Sequence, residues 1–281
     1  MATLVTGGAG FIGSHMVLTL IDAGEEVVVL DNLSTGYAWA IPDGVRFVEA
    51  DIGDEDALDR VLGGGGIDAV IHFAGSIVVP ESVTDPLGYY LNNTVKTRGL
   101  IAAAIRHGVK HFIFSSTAAV YGMPEANPVA EDAPLNPISP YGSSKLMSEI
   151  MLRDASLAHD MSYVALRYFN VAGADPKGRS GQSTPRATHL IKVACQTALG
   201  QRGHLDVYGT DYDTPDGTCV RDYIHVSDLA RAHLLALRHL KAGGQSSVMN
   251  CGYGRGYSVR EVVEAVDRAA GLKIEERYTD R

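Results

Sequence analysis

Hydrophobic and polar positions change period repeatedly along the first two-thirds of the chain. Val27-Val28-Val29-Leu30 and Ala69-Val70-Ile71 are short unbroken apolar runs rich in β-branched residues. Such runs suit strands covered on both faces of a parallel sheet. With their neighbours they predict strands over 3–6, 26–31, 45–49, 69–73, 111–115 and 163–167. Between them apolar residues recur every three to four positions, which predicts helices over 10–23, 55–62, 93–107 and 141–157. Strand–helix–strand alternation of this kind predicts the α/β class, with a doubly wound parallel sheet and right-handed crossovers. The glycines at 63–66 read as a flexible helix–strand loop.

The rhythm loosens beyond residue 170. A Gly/Pro/Ser-rich stretch over 173–185 leads to a helix near 188–199 and a strand near 205–208. A helix over 226–240, a strand over 248–251, a helix over 259–269 and a strand-like 273–278 follow. This pattern predicts two parts: a sheet domain over 1–170 and a smaller α/β C-terminal lobe over 171–281. No internal repeat is present.

Composition narrows the function classes. Of 281 residues 46% are hydrophobic and 20% charged, the balance of a folded globular chain. A formal charge of −9 argues against nucleic acid or an anionic membrane as partner. Cys195, Cys219 and Cys251 have no Cys-x-x-Cys spacing and the ten histidines no His-Glu-x-x-His pattern, so neither a disulfide framework nor a metal site is expected. No basic leader precedes the first strand, and no apolar run approaches the ~20 residues a membrane helix needs. The expectation is a cytoplasmic protein.

Thr6-Gly7-Gly8-Ala9-Gly10-Phe11-Ile12-Gly13 joins the first predicted strand to the first helix. Glycines at 7, 10 and 13 in that setting allow a tight turn, backbone approach to a pyrophosphate and close helix–sheet packing. The helix N-terminus adds N–H groups and a partial positive charge. Together these mark a Rossmann dinucleotide site. Asp31 ends the second strand 18 residues past Gly13, where a carboxylate hydrogen-bonds ribose hydroxyls and repels a 2′-phosphate. No Lys or Arg occurs over 32–45, so NAD is favoured over NADP. Asp51-Ile52, after the third strand, suits the adenine edge, although an ordinary loop aspartate fits there equally well.

Tyr141 and Lys145 are four apart on a predicted helix and so share one face. A tyrosine ionises near pH 10, and neighbouring cations must lower that by roughly three pKa units, about 4 kcal/mol, for base work at neutral pH. Alone, the pair also fits an ordinary helix surface. Thr117 ends the 111–115 strand segment, 24 residues before Tyr141, at the sheet end where α/β folds place ligands. It reads as a proton-sharing hydroxyl or as a plain turn threonine.

Together these residues resemble the extended short-chain dehydrogenase/reductase superfamily, and within it the UDP-galactose (UDP-glucose) 4-epimerase family. The segments that carry the likeness are Thr6–His15, Asp31-Asn32-Leu33, His72-Phe73-Ala74-Gly75, Phe114–Gly122, Tyr141-x-x-x-Lys145, Arg167-Tyr168-Phe169-Asn170 and Asp216–Val226. The resemblance implies that Tyr141 takes the proton from the 4′-hydroxyl of a UDP-hexose while hydride leaves C4′ for NAD. Lys145 would hold the ribose and keep Tyr141 ionisable, and Thr117 would bridge to the 4′-oxygen. The 4-keto sugar then turns and hydride returns to its other face. Cofactor contacts are implied at Gly7, Gly10, Phe11, Ile12, Gly13, Asp31, Asn32, Asp51, Ile52, Phe73, Ala74, Gly75, Asn93, Ser115, Tyr141, Lys145 and Tyr168. Substrate contacts are implied at Thr117, Tyr141, Asn170, Arg221 and Tyr208. Arg221 suits a pyrophosphate because a guanidinium pairs it in bidentate fashion.

The likeness has two departures. Better-known members carry a lysine just after Phe-Ala-Gly, where this chain has Ser76-Ile77, which implies looser NAD retention. They also run several dozen residues beyond the equivalent of Arg281, so the C-terminal lobe reads as truncated. Rival readings are a UDP-glucuronate or UDP-N-acetylglucosamine 4-epimerase, a sugar-nucleotide 4,6-dehydratase and a non-catalytic NAD-binding module. The dehydratase needs an acid and a base after Thr117, where Ala118 and Ala119 stand. The module has no use for Tyr141, Lys145 and Thr117 together. The family also implies a homodimer joined through 93–107 and 141–157.

Overall fold

The apolar runs become the strands of one parallel sheet in the computed structural model, which describes residues 1–184 and 188–281. Pro185, the last residue of the loosened 173–185 stretch, lies outside the described residues. The strands are β1 (Ala2–Thr6), β2 (Val27–Asp31), β3 (Arg46–Glu49), β4 (Ile67–His72), β5 (His111–Thr117), β6 (Ser162–Tyr168) and β10 (Ser247–Cys251). Their order is β10-β6-β5-β4-β1-β2-β3, all parallel. One face packs α2 (Glu55–Gly63), α5 (Lys96–Arg106) and α6 (Pro140–Ala158) over Leu58, Leu100, Phe112, Phe114 and Leu152. The other packs α1 (Phe11–Asp22) against α8 (Val226–Lys241), with Met16, Leu20, Ile113, Leu234 and Leu237 between. Leu4, Met16, Leu100 and Phe112 are wholly buried, each burial contributing roughly 1.5–3 kcal/mol.

Two elements change sides relative to the sequence rhythm. The helix at 226–240 and the strand at 248–251 read as parts of the second lobe, yet α8 and β10 complete the main sheet. β10 pairs with β6 from Ser247↔Val164 to Cys251↔Tyr168. The reason is topological: β6 would otherwise be an open edge, and α8–β10 is the right-handed crossover that covers it. The lobe is built partly from chain within that crossover and partly from chain that follows β10. It consists of the sheet β11-β9-β7 (Gly256–Ser258, Val220–His225, Asn170–Ala172) and the pair β12-β8 (Glu276–Thr279, Leu205–Tyr208). The helices α7 (Leu190–Ala198) and α9 (Val259–Ala270) close over Val193, Leu205, Val207, Val263 and Ile274. Ile274 fills that core, so the strand-like 273–278 pairs only from Glu276.

The helix expected from 93 also starts elsewhere. Helical turns run from α3 (Val79–Thr84) through α4 (Pro86–Tyr90) into a π-helical segment, Leu91–Val95, and then α5. Asp85 caps α4 by accepting from the Gly88 N–H at 3.0 Å, and Pro86 follows at its first position. The wide π turn carries Asn93 into the protein, where it is buried. Such turns recur at functional sites.

Candidate active site

Strand order reverses between β1 and β4, and open α/β sheets bind ligands in the crevice beyond the strand ends at that point. The glycine turn lines it. Gly7 has φ +74°, and a Cβ on it would lie 2.5 Å from the Ala74 nitrogen. A Cβ on Gly13 would lie 2.0 Å from the Gly7 carbonyl oxygen, so only glycine lets α1 sit on the turn. At Gly10 the nearest atom would be that same oxygen at 3.3 Å, with open space otherwise. The Ser14 N–H donates to the Gly10 carbonyl at 2.9 Å, and no side chain caps α1. The N–H groups of Phe11, Ile12 and Gly13 are therefore left for an anion.

Asp31 is buried at the end of β2 and locks the turn in place. Its carboxylate accepts from the Ala9 N–H at 3.0 Å and the Leu33 N–H at 2.8 Å. Asn32 donates to Asp51 at 2.8 Å, and Asp51 also accepts from the Gly53 N–H at 2.7 Å and from Lys96 at 2.9 Å. Partial burial alone would raise the Asp51 carboxyl, but Lys96, Gly53 and Asn32 outweigh it and hold it below the usual carboxylate range. The Ile52 side chain is buried in the core with Leu58 and Leu100, so a ligand can meet Ile52 only through its backbone. Lys96 brings to this end a cation that residues 32–45 lack, with its charge committed to Asp51.

The β4 end supplies the next wall. Phe73 donates its N–H to the Thr6 carbonyl at 2.9 Å and rests on the His233 ring, centroids 4.8 Å apart. Ala74 covers Gly7. A Cβ on Gly75 would fall 3.0 Å from the Asn93 amide oxygen and 3.7 Å from Lys145 Nζ, so this segment and Asn93 meet α6 here. Asn93 is fixed by three bonds: its oxygen accepts from the Ser76 N–H at 2.7 Å, and its amide donates to the Ser76 carbonyl at 2.9 Å and the Ser144 hydroxyl at 3.1 Å. Ser76, the first residue after Phe73-Ala74-Gly75, thus serves as Asn93's anchor.

Tyr141 and Lys145 lie in the first turns of α6, both buried. Ser139 caps that helix by accepting from the Gly142 N–H at 3.2 Å, and Pro140 sets its first φ. A Cβ on Gly142 would stand 2.6 Å from the Ala119 carbonyl oxygen, so α6 seats directly on the turn after Thr117. Thr117 ends β5 with its hydroxyl accepting from the Ala119 N–H at 3.1 Å. Lys145 donates to the Ser115 carbonyl at 2.9 Å and sits 5.0 Å above the Phe114 ring. The Ser115 hydroxyl is hydrogen-bonded to the Tyr168 hydroxyl.

Burial dominates the electrostatics of the pair in the protein without its cofactor. In the protein alone burial raises the Tyr141 phenol above its usual 10, and the Thr117 hydroxyl only partly opposes this. Burial also brings Lys145 down to about 8, against the pull of Glu149. The lysine by itself does not lower the tyrosine, because desolvation outweighs one ammonium that is turned to Ser115 and Phe114.

On the second-lobe side, Asn170 begins β7 and donates to the Asp222 carbonyl at 3.2 Å. β7 runs beside β9, which carries Arg221 exposed to solvent. Both hang from the C-terminal end of β6, next to the crevice. Tyr208 is exposed on β8, in the lobe's other sheet, and shares no strand pairing with Asn170 or Arg221.

Residues 3–252 match the model of the NAD dependent epimerase/dehydratase family. The chain belongs to this family. It is 62% identical over 278 residues to the UDP-glucose 4-epimerase of Azospirillum brasilense, across 99% of this chain and 80% of that enzyme. The solved UDP-glucose 4-epimerase of Brucella ovis in complex with NAD superposes with a TM-score of 0.97 at 48% identity, covering all of this chain and 86% of that one. That of Bifidobacterium longum in complex with NAD+ and UDP gives 0.95 at 40% identity, over all of this chain and 87% of that one.

The residues fit the family's NAD. The open side of Gly10, the free N–H groups after it, and Asp31 and Asn32 at the end of β2 form a cradle for a dinucleotide. Two contributors have no motif of their own: Ser144 anchors Asn93 and Lys96 holds Asp51. Buried His72, which opens the His72–Gly75 segment, hydrogen-bonds Thr6 at 2.7 Å and Thr97 at 2.9 Å. Ser144 alone left a trace, as a polar residue on the helix face that Tyr141 and Lys145 mark as buried.

Proposed function

We propose that this chain interconverts UDP-galactose and UDP-glucose by inverting C4 of the sugar. The observation that carries the proposal is the meeting of Tyr141, Lys145 and Thr117 at the end of β5, with the alanines 118 and 119 beside them. NAD, when bound, would supply the hydride acceptor and a positive charge. Tyr141 then takes the proton from the 4′-hydroxyl and later returns one to the 4′-oxygen, while Thr117 shares that hydrogen bond. Lys145, held by the Ser115 carbonyl, places a positive charge near the phenol and reaches the nicotinamide ribose. Asp31 and Asn32 take the adenosine ribose, Asp51 and the Ile52 backbone the adenine edge, and the α1 turn the pyrophosphate. Phe73, Ala74, Gly75, Asn93, Ser115 and Tyr168 enclose the nicotinamide end. Asn170 and Arg221 hold the UDP, with Tyr208 near the uracil. Residues 1–170 form the cofactor domain and the lobe within 171–281 the sugar-nucleotide side.

The relatives named UDP-glucose 4-epimerase support the reading. Ala118 and Ala119 argue against dehydration, since neither moves a proton. The test is UDP-galactose with purified protein supplied with NAD: UDP-glucose accumulates without net formation of NADH. Tyr141→Phe should lose at least ~100-fold in kcat, the scale of a missing general base. A Tyr141→Phe protein with full turnover would remove the base assignment.

A cytoplasmic homodimer completes the proposal. Val83, Leu87, Leu91 and Val95 are exposed at four-residue intervals, beside exposed Met147 and Ile150 on α6. A patch of this kind on a helical face is a pairing surface. No helix among the described residues is long and apolar enough to cross a membrane.

A further inference from the structure

One helical turn beyond Lys145, Glu149 is 5% exposed and paired with the 3% exposed Arg167 of β6. The contact is two-pronged, with Arg167 Nη2 2.6 Å from Oε2 and Nε 3.0 Å from Oε1. The Ser116 hydroxyl donates to the same Oε1. Ser116 stands between Ser115, whose carbonyl holds the Lys145 ammonium, and Thr117. Arg167 in turn donates to the Tyr121 hydroxyl at 2.8 Å and lies 4.9 Å over its ring. A buried ion pair is weak as a stabilising device, since apolar residues of the same volume often do as well or better. Its place beside Lys145 invites another role.

We propose that Glu149 is a positioning residue for the epimerisation proposed above: its carboxylate, locked by Arg167 and Ser116, supplies the counter-charge for the buried Lys145 ammonium and ties the Ser115–Thr117 strand end to the catalytic helix. The other groups around the lysine leave it this role. His72, at the end of β4, is held to about 3 by burial and is neutral. In the protein without its cofactor, burial raises Tyr141 on the same helix and Tyr168 on β6 above the usual phenol range. The charge of Arg167 is turned to Glu149. Burial draws Lys145 down to about 8, and Glu149 is the group that opposes it.

The consequence is readable in the pH dependence. Activity falls on the basic side as Lys145 loses its proton. Without the Glu149 charge that loss comes at lower pH. The inference rests on the epimerase reading, so turnover of UDP-galactose by the unaltered protein comes first; its absence would count against that reading and leave the titration below to judge Glu149. In Glu149→Gln the basic limb of kcat should move down by about one pH unit or more, the scale of one near charge. Glu149→Asp should restore part of the shift. A purely structural role lowers the rate equally at every pH and leaves the limb in place. Because Glu149→Gln leaves Arg167 unpaired, Glu149→Gln/Arg167→Gln carries the test should the single variant unfold. The 13Cε resonance of Lys145, identified by its loss in Lys145→Met, gives a readout without turnover. Its titration midpoint should fall in the variants with the limb. Limb and midpoint unmoved in a folded variant would overturn the proposal.

Discussion

Taking the Lys145 ammonium out of water brings it from the usual 10.5 to about 8. At 1.36 kcal/mol per pKa unit this corresponds to about 3 kcal/mol of folding stability at neutral pH. The bond to the Ser115 carbonyl is what the fold gains in return. Below about pH 8 lysine carries its proton both folded and unfolded, and the penalty is complete. Between 8 and 10.5 the unfolded chain keeps a proton that the fold has released, so the penalty fades as pH rises. Lys145→Met should therefore be more stable than the parent at pH 7, by roughly 1–3 kcal/mol after the lost hydrogen bond. That advantage should vanish above pH 10.5. Thermal unfolding at both pH values checks it, and a variant less stable at pH 7 would refute it. The pairing of Tyr141 with Lys145 was legible from four-residue spacing. Their burial was not, because desolvation depends on what packs over a helix.

At the scale of elements, the β1–turn–α1 unit was legible because each glycine answers a local steric demand. Gly13→Ala places a Cβ against the Gly7 carbonyl oxygen at 2.0 Å, and backbone cannot yield as a flexible side chain does. We expect loss of bound NAD together with a lowered melting temperature. Gly24, with open space around its Cβ, gives the comparison. Gly24→Ala should be destabilised only by its φ of +76°, about 1 kcal/mol, and keep its cofactor. Equal NAD loss in both would discount the cradle. The placing of α8 and β10 was not legible, since their periodicity reveals a helix and a strand without saying which sheet edge they cover. The same holds for Lys96, which reaches Asp51 across 45 positions of sequence, and for the π turn that brings in Asn93.

For the whole molecule, the proposed cofactor residues lie on the β1–β4 side of the sheet and the proposed sugar-nucleotide residues on the lobe hung from β6 and β10. The exposed stripe from Val83 to Val95 lies on the flank formed by α3, α4 and the π-helical segment Leu91–Val95. Leu87→Glu/Val95→Glu should convert the proposed dimer to a monomer in light scattering, and a dimer that survives both charges would place the interface elsewhere. The central claim concerns the hydrogen at C4 of the sugar. In the proposed mechanism that hydrogen would pass to NAD and back as hydride, without exchange with solvent protons. UDP-galactose carrying deuterium at C4 tests this directly by NMR of the product in ordinary water. The account predicts UDP-glucose with the deuterium still on C4. Product carrying solvent hydrogen at C4 would contradict it.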